Sequence, residues 1–121
     1  MANIVILEDE EKTLRALHNV ANKLGHSVSS FYDPEAAIEA IESQKTDLLI
    51  SDWDLKAPLT GISVANHTLA LYPDSRIILI TGNDMRLLKR QTYKMPNTIY
   101  MAKPFSVAAI REALQLSIAY D

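Results

Sequence analysis

Four apolar runs in this chain each end on a polar side chain of a kind that phosphoryl chemistry uses. Ile4–Leu7 leads into Glu8, Asp9 and Glu10; Leu48–Ser51 into Asp52; Ile77–Ile80 into Thr81; Ile99–Ala102 into Lys103 and Pro104. A carboxylate can take a phosphoryl group as an acyl phosphate, and Asp52 is the candidate nucleophile. That reaction needs a cation to neutralise the phosphoryl oxygens and the crowded acids. Glu8 and Asp9 stand where they could hold Mg2+ together with Asp52, because magnesium takes oxygen ligands, keeps several waters and usually uses one or two carboxylates. Lys103 offers a point charge to a phosphate oxygen. Thr81 offers a hydroxyl to another, and the backbone N–H groups around Gly82 add donors.

Each of these features has a plainer reading by itself. Glu8 to Glu11 is also an acidic first helical turn, favoured by the helix dipole. Asp52 is also a strand-end turn or cap. Thr81-Gly82-Asn83 is also a turn, and Lys103-Pro104 a helix start. The conjunction is harder to dismiss. Four polar ends at one edge would be a costly crowd of like charges unless a cation or ligand used it.

The elements that must position these residues follow from periodicity. Continuous β-branched and Leu runs read as fully buried parallel strands. Leu14, Leu17, Ala21 and Leu24 mark one face of a first helix, and Gly25 ends it. His26 to Phe31 is a weaker second strand. Asp33-Pro34 opens a helix that buries Ala37, Ile38 and Ile41. Residues 47–51 are the third strand. A loop from Trp53 to Gly61 leads into a helix with Ile62, Ala65 and Leu69 inward, and Pro73-Asp74 breaks it. Residues 76–80 form the fourth strand. Asn83 or Asp84 caps a mostly polar fourth helix carrying Met85 and Leu88. Residues 98–102 form the last strand. Ser106 caps a final helix with Val107, Ile110, Leu114 and Ile118 on one face, running nearly to Asp121. Strand–helix repeated five times predicts an α/β fold, a doubly wound five-stranded parallel sheet with helices on both faces. In such a sheet, sites form at the carboxyl ends of the strands.

The whole chain sets outer limits. Its 121 residues predict one domain over 1–121, and an apolar share of 48% supplies a core. The absence of cysteine excludes disulfides and thiolate chemistry. The N-terminus has no secretory pattern and no run has the length of a membrane span, so a cytoplasmic chain without membrane contact is expected. A net charge of −3 and a pI near 5.6 argue against direct nucleic-acid contact.

On these residues the chain resembles a response-regulator receiver domain over nearly its whole length. Glu8-Asp9-Glu10 matches the acidic pair, Asp52 the phosphoacceptor, Thr81 the hydroxyl position, Lys103-Pro104 the Lys-Pro signature, and Tyr100 the aromatic switch position. The resemblance implies a flavodoxin-like fold and Mg2+-dependent transfer of phosphate from a partner's phosphohistidine to Asp52. That partner would be a histidine kinase or a histidine phosphotransfer protein. Metal ligands would be Glu8, Asp9, Asp52 and the backbone carbonyl of Asp54. Thr81 and Tyr100 would shift together and remodel the face made by the fourth helix, fifth strand and fifth helix for a downstream protein or output domain. Catalysis would extend no further than the chain's own phosphorylation and dephosphorylation.

One stretch departs from the family pattern. Members usually carry Met-Pro at three and four residues after the phosphoacceptor and glycine at eight. Here Pro58 is six after and Gly61 nine after, so the loop is one residue longer. Asp54 adds a carboxylate two residues after Asp52, and it is expected to influence the lifetime of a phosphoryl group.

Arg86, Lys89, Arg90 and Lys94 are spaced for one side of the fourth helix: a solvated face, or a docking surface for an acidic partner. Trp53 reads as a packing residue beside Asp52 and a natural reporter. His18, His26 and His67 lack ligand spacing and read as surface or packing residues. Two competing functions stay open. One is a pseudo-receiver, an interaction module that no longer cycles phosphate. The other is a Mg2+-dependent phosphatase, disfavoured because no segment would build a substrate cap. A homodimer through the last helix or the switch face is also left open.

Overall fold

The structure, a computed structural model, describes residues 1–54 and 61–118. Strands and helices alternate in the order β1 (Asn3–Leu7), α1 (Glu11–Lys23), β2 (Ser27–Phe31), α2 (Pro34–Ser43), β3 (Leu48–Asp52), α3 (Gly61–Leu71), β4 (Arg76–Thr81), α4 (Met85–Thr92), β5 (Thr98–Ala102) and α5 (Val107–Ile118). The five strands form one parallel sheet in the order β2-β1-β3-β4-β5. The predicted α/β doubly wound sheet is therefore observed. Parallel strands need crossovers, and α1 to α4 supply the four, while α5 follows the last strand.

Alternation along the strands divides the core into two layers. Ile4, Ile6, Leu48, Ile50, Ile78 and Ile80 point to one face, where Leu14 and Leu17 of α1 and Ile110 and Leu114 of α5 meet them. Val5, Leu7, Leu49, Ile77 and Leu79 point to the other, against Ala37 and Ile41 of α2, Val64 and Ala65 of α3 and Leu88 of α4. Because both faces are covered, the central strands are apolar on both sides, and β3 is buried at all of its residues.

Helix boundaries follow local chemistry. Asp33 caps α2 by accepting from the Ala36 N–H at 3.1 Å, with Pro34 in the first turn. Asp84, the second of the two candidates, caps α4 through the Leu87 N–H at 3.0 Å. Ser106 accepts from the Ala109 N–H at 3.0 Å ahead of α5. Gly25 follows α1 with φ +91°, a left-handed conformation that glycine adopts without steric cost.

Several expectations need correction. Leu24 falls at the C-cap of α1, past the turns that face the sheet, and is 37% exposed. Val107 opens α5 and is 53% exposed; the apolar stripe meets the sheet only from Ile110 onward. Lys94 is not on α4, which ends at Thr92; it lies in the following turn. Glu8 to Glu10 precede α1 rather than forming its first turn. The lengthened loop with Pro58, and the reach of the last helix toward Asp121, fall on residues 55–60 and 119–121, outside the described residues.

Candidate phosphoacceptor site

The site lies where the sheet reverses its winding. The chain runs from β1 outward to β2, then returns to the other side of β1 and continues through β3, β4 and β5. At such a switch point the connecting loops diverge and open a crevice at the carboxyl ends of the strands. Register sets the heights of the groups around it. Leu7 pairs with Ser51, Asp52 with Ile80, and Thr81 with Ala102. Backbone bonds carry the ladder one residue further: Glu8 N–H to Phe31 O at 3.1 Å, Trp53 N–H to Ile80 O at 2.8 Å and Lys103 N–H to Thr81 O at 2.8 Å. Glu8, Asp52, Thr81 and Lys103 thus leave four different strands at neighbouring levels.

Asp52 is 1% exposed and both its oxygens are engaged. Oδ2 lies 3.2 Å from the Lys103 ammonium, and Oδ1 accepts the Asp54 N–H at 2.9 Å. Lys103 Nζ also lies 2.8 Å from Glu8 Oε1. Glu8 has no exposed surface; its Oε2 accepts the Glu10 N–H at 2.8 Å, while Oε1 lacks a well-aligned hydrogen-bond donor. Burial pushes the Glu8 carboxyl up to about 7; the Lys103 ammonium and the Glu10 N–H pull it down, and the Asp52 charge adds to the rise. For Lys103, burial works against the charged form, but Glu8 and Asp52 outweigh it and hold the ammonium above its ordinary range. The Lys103–Pro104 peptide is cis.

Carboxylate oxygens of Glu8, Asp9 and Asp52 all lie within 4.8 Å of one another. Glu8 and Asp52 are buried and Asp9 is exposed, so the cluster opens to solvent on the Asp9 side. This donor set suits a hard divalent cation, which takes oxygen ligands and retains waters. Glu8 Oε1 is already paired with the Lys103 ammonium at 2.8 Å, and the second lone pair of that buried oxygen is the one a cation would use.

Asp54 joins the site from the other direction. Its side chain does not reach the three-carboxylate cluster. Instead it accepts the Thr81 hydroxyl, which lies 3.1 Å from both Oδ1 and Oδ2, and the Gly82 N–H at 2.7 Å to Oδ2. Thr81 Oγ1 also accepts the Asn83 N–H at 3.0 Å. Gly61 packs beneath: a Cβ there would collide with the Asp52 carbonyl oxygen. Despite its shifted spacing, this glycine permits α3 to start directly against β3.

Tyr100 is half-buried, and its hydroxyl meets that of Thr92 at 2.8 Å. Lys89 Nζ stands 5.5 Å from its ring centroid, within reach of a cation–π attraction. Thr92 was not singled out from sequence, where nothing distinguishes it from the polar residues around it. Arg86, Lys89, Arg90 and Lys94 are all exposed. The histidines stand apart: His18 Nδ1 meets Ser30 Oγ at 2.6 Å, and His67 pairs with Glu42 at 3.2 Å. Among the described residues, no helix is long and apolar enough to cross a membrane.

Comparison with known proteins agrees with this geometry. The model of the response regulator receiver domain matches residues 4–115. The response regulator receiver protein CpdR of Brucella abortus is 27% identical over 105 residues, 87% of each chain. The alkaline phosphatase synthesis transcriptional regulatory protein PhoP of Bacillus subtilis is 29% identical over 103 residues, 85% of this chain; the chain spans 42% of its length. Among solved structures, chemotaxis protein CheY4 of Vibrio cholerae superposes with TM-score 0.87 at 19% identity, over 98% of this chain and 99% of that one. A response regulator receiver protein from Sinorhizobium medicae gives TM-score 0.87 at 23% identity, over 98% and 95%. At these identities the structural likenesses establish the fold alone. The family match spans nearly the full sequence, and the chain belongs to the response regulator receiver domain family.

Proposed function

We propose that Asp52 accepts a phosphoryl group, and that the chain works as a phosphorylation-controlled receiver. The observation that carries this reading is the setting of the Asp52 carboxylate: buried, 3.2 Å from the Lys103 ammonium, and grouped with Glu8 and Asp9. An Asp52 oxygen attacks phosphorus; the P–N bond of a phosphohistidine breaks, and the imidazole leaves with the electron pair and takes up a proton. Glu8, Asp9, Asp52 and the Asp54 backbone carbonyl would hold Mg2+, which when bound neutralises charge on the transferring group. Lys103 holds Asp52 in place and offers a fixed positive charge to a phosphoryl oxygen. Thr81 and the Gly82 N–H are the donors for another oxygen. Engagement of Thr81, coupled to Tyr100, would alter the face built from α4, β5 and α5. The exposed Arg86, Lys89, Arg90 and Lys94 suit an acidic partner there. The phosphate source is a histidine kinase or phosphotransfer protein in the cytoplasm.

The test is phosphorylation by a small phosphoramidate, which carries the same P–N bond, followed by intact-mass measurement. A single added phosphoryl group, dependent on Mg2+ and lost in Asp52→Asn, is expected. Absence of the adduct, or its persistence in Asp52→Asn, overturns the assignment. A second reading, a pseudo-receiver that binds partners without cycling phosphate, draws on one observation: the Asp54 carboxylate already fills Thr81 and Gly82.

A further inference from the structure

Thr81 and Gly82 each have one proton to give, and both are committed. The Thr81 hydroxyl is directed at the Asp54 carboxylate with both oxygens at 3.1 Å, and the Gly82 N–H donates to Asp54 Oδ2 at 2.7 Å. The carboxylate is held there from its own backbone, because the Asp54 N–H is bonded to Asp52 Oδ1 at 2.9 Å. Thr81 is 1% exposed, so water cannot readily take over its hydroxyl proton. A carboxylate accepting a hydroxyl and an N–H makes the demand a phosphoryl oxygen would make, that of an anionic acceptor. The Gly82 bond, at 2.7 Å, has charge-assisted length, while the Thr81 hydroxyl is shared more loosely between the two oxygens at 3.1 Å. A phosphoryl group on Asp52 would meet these donors already taken, and the occupant would repel it as a like charge.

We propose that the Asp54 carboxylate is an internal occupant of the phosphoryl-oxygen subsite, latched to Thr81 and Gly82, and that it must be displaced before a phosphoryl group on Asp52 can bind those donors. The latch rests on the Asp52 assignment only for its consequence; its geometry stands apart from it. It acts in two ways. It weakens binding of any phosphoryl group, and it keeps Thr81 engaged by an anion when no phosphate is present. Asp54 is thus a gating residue that acts through Thr81 and Gly82.

Two measurements on the full chain test this. The first is the amide proton of Gly82 in 15N-labelled protein without phosphoryl ligand. An N–H held at 2.7 Å by a carboxylate resonates downfield, and Asp54→Ala is expected to move it upfield. An unmoved Gly82 signal overturns the latch. The second is the affinity for beryllofluoride, a phosphoryl imitator on carboxylates, titrated with Mg2+ into the same proteins. Losing a charged competitor for two hydrogen bonds is expected to tighten binding at least about tenfold in Asp54→Ala. Asp54→Asn keeps the size and one acceptor, should gain less, and serves in place of the alanine variant if that one does not fold. Equal or weaker affinity in the variants overturns the gate. If no protein binds beryllofluoride while Gly82 still responds to the loss of Asp54, the Asp52 assignment fails and the latch stands.

Discussion

Lys103 reaches over β4 and past Asp52 to Glu8, so that Nζ lies 2.8 Å from Oε1 of a carboxylate with no exposed surface. The two residues follow strands separated by β3 and β4. One ammonium thus serves two buried acids, and the carboxyl edge of the sheet is tied together by charge as well as by backbone ladders. Removing one partner of a buried pair leaves the other uncompensated. Lys103→Met is therefore expected to destabilise the metal-free protein by about 2–4 kcal/mol above pH 7 and by less near pH 5, where Glu8 takes a proton. Urea unfolding at the two pH values checks this; an equal loss at both would show that the alkyl stem matters more than the charge.

Glu8 itself sets a pH dependence. Its folded pKa, about 7, lies above the ordinary value of 4.5, so the folded state binds the proton more tightly than the unfolded chain. The associated stability is fully present below pH 4.5 and is lost as pH rises through 7. The expected loss is on the order of 2–3 kcal/mol. Chelator-treated protein should unfold at progressively lower urea as pH increases across that window. Glu8→Gln should flatten the profile, and Mg2+ should offset the loss at the upper end. A profile that does not change on Glu8→Gln would assign the titration elsewhere.

The sequence announced the strands and most of the acidic site because both obey one-dimensional rules. Ile77–Ile80 is apolar at every position, which only a strand covered on both faces requires, and Asp52 and Thr81 follow such runs directly. Leu24 and Val107 were misplaced because helical period projects a face without saying where the neighbouring sheet stops. Lys94 was misplaced for a related reason: neither glycine nor proline marks the end of α4 at Thr92. Asp54 shows a deeper limit. Its spacing from Asp52 is plain in the sequence, but whether its carboxylate turns toward the metal ligands or toward Thr81 at the end of neighbouring β4 depends on the turn after β3. The pairing of Thr92 with Tyr100 likewise joins residues whose proximity comes only from the packing of α4 on the sheet.

Gly61 makes a prediction about shape rather than charge. An added Cβ would meet the Asp52 carbonyl oxygen, with Ser51 Oγ at 2.8 Å and the Asp52 carbonyl carbon at 2.9 Å. A side-chain oxygen can rotate away, but backbone in the central strand cannot. Gly61→Ala is expected to cost about 1–3 kcal/mol, the usual penalty of overpacking. Adding Ser51→Ala should recover little of it. Full recovery in the double variant would mean that the hydroxyl, not the strand, is the obstacle.

Asp9 separates metal binding from folding. It is exposed, and among the described residues it carries no hydrogen bond or ion pair, yet its carboxylate completes the cluster with Glu8 and Asp52. Asp9→Asn should therefore leave metal-free stability within about 0.5 kcal/mol, as exposed substitutions do. The same change removes a charged oxygen ligand from the solvent side of the cluster, so Mg2+ affinity should fall at least about tenfold, the loss expected for one charged contact to a divalent ion. Calorimetric titration with Mg2+ and denaturant unfolding without it read the two effects independently. Unchanged affinity with unchanged stability would remove Asp9 from the ligand set and leave the buried pair, Glu8 and Asp52, to hold the ion with its waters.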